Sequence, residues 1–159
     1  MKKTTLFLAL VLGSVILLSS CSTTYKMNLG DASADQGATV NFSSGFMVKK
    51  WNNIDIYDDL YGDWQVWWES NKTRLTVPSG NNSFTFDVNF SINRGNSITT
   101  YKYNNIELQY NLLPGRKYSI ETSAKMRSFL GTGVQLSIGI YDVTNGKELL
   151  KEWKLRDDS

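Results

Sequence analysis

The sequence predicts an all-β fold, an antiparallel sandwich of two packed sheets. Three observations point there. From Ala38 onward, short runs of Val, Ile, Phe, Tyr and Thr alternate with polar residues. Clusters of Asn, Gly, Ser and Pro separate those runs, the rhythm of strands and turns. The 159 residues hold one Cys, so no internal disulfide is available and a packed core must hold the fold.

Thr39 to Phe42 reads as a first strand and Phe46 to Trp51 as a second, which Ile54 to Tyr57 extends. Trp64 to Trp68 and Arg74 to Val77 follow, and Pro78-Ser79-Gly80-Asn81-Asn82 makes a turn. Ser83 to Ile92 is the clearest strand. Phe84, Phe86, Val88, Phe90 and Ile92 share one face at period two, so one side is buried and the other solvated. Asn93-Arg94-Gly95-Asn96 turns the chain. Ile106, Leu108, Tyr110 and Leu112 repeat the alternation. Pro114-Gly115 is a tight turn with a preset φ followed by a residue free to take positive φ. Tyr118 and Ile120 continue, and Val134, Leu136, Ile138 and Ile140 alternate again. Asn145-Gly146 is a type I′ hairpin signal, so Lys147 to Leu155 pairs back as the last strand. Leu149 and Trp153 also sit at helical spacing, which leaves a short C-terminal helix open. The sum is seven to nine strands in residues 38–159.

The start of the chain reads as an address. Lys2 and Lys3 precede an apolar run from Leu6 to Leu18, broken only by Gly13 and Ser14. The run is too short to span a bilayer, which needs about 20 residues. It fits the signal segment of an exported protein. Leu18-Ser19-Ser20-Cys21 resembles the lipobox of bacterial lipoproteins. The resemblance implies cleavage before Cys21, a diacylglyceryl group on its thiol and an acylated amino terminus. Two or more acyl chains anchor stably, since each buried CH₂ contributes about 0.8 kcal/mol. Ser22 follows Cys21 where an Asp would retain the protein at the inner membrane, so the resemblance implies the outer membrane. The expected organisation is a signal peptide over 1–20, a lipidated Cys and flexible tether over 21–37, and a sandwich over 38–159.

The Pro-Ser-Gly turn at 78–80 and the Pro-Gly turn at 114–115 also resemble corners in small immunoglobulin-like and PEGA-type modules of bacterial envelope proteins. That resemblance implies an immunoglobulin-like sandwich.

Charge and missing residues narrow the function. Lys2 and Lys3 are the only charged residues in 1–20, so the remaining chain holds 15 basic and 15 acidic residues. Its net charge is zero, which speaks against nucleic acid as a partner. The chain has no His, which excludes Ser-His-Asp and Cys-His catalysis and His-based metal sites. Neither Gly-x-Ser-x-Gly nor a phosphate-binding loop occurs. The expectation is a protein that is not an enzyme and needs no cofactor beyond the lipid on Cys21.

Three segments are candidates for recognition. Trp51, Tyr57, Tyr61, Trp64, Trp67 and Trp68 form an aromatic cluster. Trp67 and Trp68 are neighbours, so on a strand they face opposite ways. Tyr61, Trp64, Trp67 and Trp68 are the residues best suited to a glycan or protein partner, against the plainer reading that the rings pack the core. Asp55, Asp58, Asp59 and Asp63 are weak Ca²⁺ candidates, because the loop lacks the EF-hand spacing and its bidentate Glu; a solvated loop is the plainer reading. Lys125 to Gly133 reads as a loop with an apolar Phe129-Leu130 tip that touches membrane or partner, or folds over the core.

The expected function is a lipid-anchored envelope lipoprotein acting as a non-catalytic binding or structural module, an accessory subunit of an envelope assembly. The alternative is a lipoprotein that binds carbohydrate or a small ligand through exposed aromatics. Replacing Cys21 by Ser should abolish fatty-acid labelling and move the protein out of the membrane fraction. Retention of both by Cys21→Ser would contradict the anchor.

Overall fold

The structure, a computed structural model, describes residues 24–30, 36–62, 72–93, 98–126 and 134–155. The described chain runs β1 (Thr24–Asn28), β2 (Gly37–Phe42), β3 (Phe46–Trp51), β4 (Ile54–Asp55), α1 (Tyr57–Tyr61), β5 (Lys72–Pro78), β6 (Gly80–Asn93), β7 (Ile98–Leu112), β8 (Lys117–Met126), β9 (Val134–Asp142) and β10 (Glu148–Lys154). They form two sheets, β1-β5-β2-β8-β9-β10 and β4-β3-β6-β7. The all-β reading and the two sheets agree with the sequence.

The sheets face each other through alternating apolar residues. Val40 and Phe42 of β2, Leu75 and Val77 of β5, Tyr118 and Ile120 of β8, and Ile138 and Ile140 of β9 line one wall. Val48 of β3, Phe84, Phe86 and Val88 of β6, and Leu108 and Leu112 of β7 line the other. Phe42 is the clasp between them. Its ring lies 5.8 Å from Phe46, 5.5 Å from Phe84 and 5.8 Å from Phe86, all tilted or edge-on. Phe46 and Phe86 add a pair at 5.2 Å. Edge-on pairs contribute about 0.5–1.5 kcal/mol beyond their area burial.

The chain changes sheets at Ser43-Ser44-Gly45. Gly45 takes φ 89°, and its carbonyl accepts from the Asn89 amide at 2.8 Å. A Cβ there would stand 2.5 Å from the Asn89 carbonyl oxygen, so only glycine fits.

Two bulges meet over one carboxylate. Register shifts at Lys49 in β3 and at Asn104-Asn105 in β7, on either side of β6. Asp87 sits between them, its side chain 7% exposed, 2.7 Å from the Lys49 ammonium. It also accepts the Asn105 amide at 2.8 Å. Asn105 takes φ 54° and accepts from Lys49 at 3.2 Å. A buried carboxylate needs such partners.

Several expectations are corrected. Within the span expected as a tether, Thr24–Asn28 forms a strand and Leu29 is buried. Tyr25 and Met27 pair with Thr73 and Leu75, so their period-two face adds to the core despite polar neighbours. The sheets are not wholly antiparallel: β1 runs parallel to β5, and β2 to β8. The run Ile54 to Tyr57 splits into β4 and α1. The two-residue turn with positive φ twice sits at Asn52-Asn53, φ 47° and 66°. Only Gly146 of the Asn145-Gly146 pair has positive φ, because the β9–β10 connection is longer and organised by Asp142 accepting the Thr144 amide at 2.8 Å. The expected last strand is present as Glu148–Lys154, paired to β9 with a bulge at Leu150, and the helical alternative falls away. The expected strand Trp64 to Trp68, the turn at Asn93 to Asn96 beyond Asn93, and the Arg127 to Gly133 part of the apolar loop lie outside the described residues.

Phe42→Ala should lower unfolding free energy by about 3–5 kcal/mol, read by urea denaturation. A loss below about 1 kcal/mol would contradict the clasp.

Candidate functional site

Tyr61, one of the rings considered for recognition, is buried, 4% exposed, as the plainer reading of the aromatic cluster has it. Asp55 accepts the Tyr57 amide at 3.0 Å and so starts the single turn α1. That turn drives Ile56, Leu60 and Tyr61 inward. The Tyr61 hydroxyl accepts the Val48 amide of β3 at 3.1 Å and bonds Thr73 Oγ1 of β5 at 2.9 Å. It thereby links the two sheets inside the core. Val48 depends on it, because β4 is too short to pair with that stretch of β3. Tyr25 meets the Tyr61 ring edge-on at 4.9 Å and Tyr57 meets it tilted at 5.1 Å.

Asp58 and Asp59 occupy the exposed first turn of α1. Asp55, Asp58 and Asp59 form no cluster of three metal-ligating groups among the described residues. Trp64, Trp67, Trp68, Asp63 and Cys21 lie outside the described residues. Trp51, the remaining Trp of the cluster, packs against the core and donates its indole N–H to Asn82 Oδ1 at 2.7 Å.

A different site emerges where β6 and β7 leave the bulges. An open groove of about 530 Å³ is lined by Asn81, Asn82, Ser83, Gln109, Tyr110, Asn111 and, from β10, Lys151. The register explains the assembly: Asn81 faces Asn111, Asn82 faces Tyr110, and Ser83 faces Gln109. Asn82 is part of the frame. Beside its bond to Trp51, its amide nitrogen donates to the carbonyls of Pro78 and Gly80 at 2.9 and 3.0 Å. Asn81, Gln109 and Asn111 are exposed, so their amides are presented to a ligand. Tyr110 is half-buried; burial first, then neighbouring Tyr118, Asp142 and Glu148, push its phenol above the ordinary value. It is therefore a neutral donor at physiological pH. Lys151 stands 4.8 Å from the Trp153 ring, within cation–π range. The groove offers amides, two hydroxyls and one ammonium, a surface suited to hydroxyl-rich or amide-bearing ligands. Sequence reasoning missed it because Asn81-Asn82 read as a turn and Gln109 and Asn111 as a solvated face. The signal was present as amides recurring on both sides of one hairpin.

Strand β7 forms one border of its sheet. It pairs with β6 alone over Ile98–Leu112, leaving its other side without a strand among the described residues. No helix among the described residues is long and apolar enough to cross a membrane. No family model matches the chain, and no curated protein or solved structure matches it significantly.

Tyr61→Phe should cost about 1–3 kcal/mol at neutral pH, because the Val48 amide and Thr73 hydroxyl lose a buried partner. Burial holds the folded phenol above its ordinary 10.0. The unfolded phenol ionises first, so stability falls as pH rises past that value. Tyr61→Phe should lose less stability over this alkaline range than the parent; equal losses would contradict the buried bridge.

Proposed function

We propose that the chain is a lipid-anchored lipoprotein of the cell envelope, held through Cys21, whose sandwich associates with another envelope protein without catalysis. The observation that carries the association is the open border of β7. A strand edge of this length, with no second strand beside it among the described residues, is a template for a further strand. Lys102 and Glu107 are the only charges along it, so little opposes pairing beyond the bulge at Asn104-Asn105. The lipobox Leu18-Ser19-Ser20-Cys21 supports the anchor, and Ser22 supports the outer membrane. The missing His and nucleophile motifs support a non-catalytic role.

Within this reading the fold is an immunoglobulin-like sandwich with two parallel neighbours added. The corners at Pro78-Ser79-Gly80 and Pro114-Gly115 support it. Gly80 and Gly115 both take positive φ there, 106° and 68°.

A second reading, carbohydrate or small-ligand binding, rests on the amide-lined groove instead of the aromatic cluster. The two are separable. A photo-crosslinker at Glu107 should capture one defined envelope protein, while the same group at Ile54 on the opposite border captures none. Equal capture at both sites, or none at either, would contradict edge docking. Glycan binding abolished by Gln109→Ala would favour the groove.

A further inference from the structure

We infer that the outer face of β1, β5 and β2 binds a phosphate-type dianion, with Arg74 at its centre and Lys26 and Lys72 beside it. These strands belong to the other sheet from β7, so the site is separate from both the open border and the amide-lined groove.

The alternation that buries Thr73, Leu75 and Val77 of β5 turns Lys72 and Arg74 outward. Tyr25 and Met27 of β1 face the core in the same way and leave Lys26 outside. Register then gathers the cations. Lys26 stands opposite Arg74 on the neighbouring strand, and Lys72 lies two residues along β5. Their Cα atoms are about 4.8 Å and about 6.6 Å from that of Arg74. Lysine and arginine side chains span such gaps, so three charged heads reach one point.

Nothing nearby answers these charges. β1, β2 and β5 carry no Asp or Glu. No ion pair among the described residues involves Lys26, Lys72 or Arg74. Like charges this close repel. The chain after Ser20 is neutral overall, so the concentration is local to this face.

Arg74 is aimed as well as charged. Its Nε donates to Asn41 Oδ1 at 2.8 Å. Asn41 is itself oriented, its Nδ2 donating to the Tyr118 carbonyl at 3.1 Å. The guanidinium is thus tied to the frame through one nitrogen, which leaves its Nη groups for a ligand. An oxyanion takes such a guanidinium as a fork. Asn41 is a positioning residue here.

A depression of about 370 Å³ opens beside Arg74, and its lining includes Thr24, Asn41, Ser43, Lys72 and Glu121. The hydroxyls of Thr24 and Ser43 add neutral donors. Glu121 bounds the far side, and its charge is already met. Its Oε2 lies 2.7 Å from the Lys147 ammonium, and its Oε1 accepts from Ser119 Oγ at 2.9 Å. Three cations around one hollow exceed what a carboxylate needs. A phosphate group carries about −1.5 to −2 charges at neutral pH and three acceptor oxygens. Soluble phosphate and a phosphomonoester lipid headgroup offer this same chemistry.

The test uses the full-length protein in nonionic detergent at low salt. Inorganic phosphate and micelles doped with phosphatidic acid are titrated separately, while NMR follows the Arg74 Nε–H resonance. The expected result is saturable binding that shifts this resonance. A response to inorganic phosphate marks a soluble ligand, and a response to phosphatidic acid alone marks a headgroup. Arg74→Gln should weaken binding about tenfold or more. Arg74→Lys keeps the charge but loses the fork, and should weaken it about threefold or more. Lys154→Gln, at an exposed cation on β10 of the same sheet, should leave it unchanged. Arg74 is exposed too, thermal melts check folding, and the resonance shift in the parent protein needs no variant. Absence of saturable binding to either probe would overturn the inference. Equal losses from Arg74→Gln and Lys154→Gln, the mark of diffuse attraction, would also overturn it, as would acetate binding as tightly as phosphate.

Discussion

Every other feature of this sandwich depends on the insertion of Phe42 from one sheet into Phe46, Phe84 and Phe86 of the other. The ring sits where β2 ends and the chain crosses between sheets, so packing and connectivity are set at the same point. With no disulfide available, apolar contact must hold the two layers together, and edge-on rings supply both area and orientation. Gly45 then makes the crossing compact enough for Asn89 to bond its carbonyl. Displacing that corner would shift the register of β6 and, through β6, of β7.

Two polar devices refine what the rings establish. The Tyr61 hydroxyl joins β3 to β5 from within the core, satisfying an amide that β4 is too short to reach. Asp87, with Lys49 and Asn105, holds two bulges in phase across β6. Each is a buried polar group with its partners in place, so each adds specificity at modest net stability. Together they fix where β7 lies. The open border and the amide-lined groove both belong to that strand and its hairpin.

Much of the fold was legible in the sequence because period-two patterning survives wherever one face is dry. β3 has the bounds its residues suggested, and β6 carries its buried Phe84, Phe86 and Val88 as the alternation required. Phe90 and Ile92 continue the pattern but are only half-buried, since the hairpin has left the core there. β1 was concealed because Tyr25, Met27 and Leu29 alternate with Lys, Asn and Thr in a short segment beside a polar stretch. Its parallel pairing with β5 is a long-range event with no local signature. Asn52-Asn53 outranked Asn145-Gly146 as a two-residue turn because cross-strand bonds to Ser83 hold Asn52 in its left-handed conformation. The bridging role of Tyr61 was hidden for a related reason. Local composition marks an aromatic cluster, but only the tertiary fold shows that Val48 and Thr73 wait for its hydroxyl.

The groove was beyond a reading of charge totals, because it is lined by neutral amides that register brings together across β6 and β7. The whole arrangement presupposes that the two sheets are locked as one body by the ring cluster. A double-mutant cycle on Phe42→Ala and Phe86→Ala, measured by urea denaturation, tests this most directly. The account predicts a coupling free energy of about 0.5–1.5 kcal/mol between the two rings. Losses that add to within about 0.3 kcal/mol would contradict it.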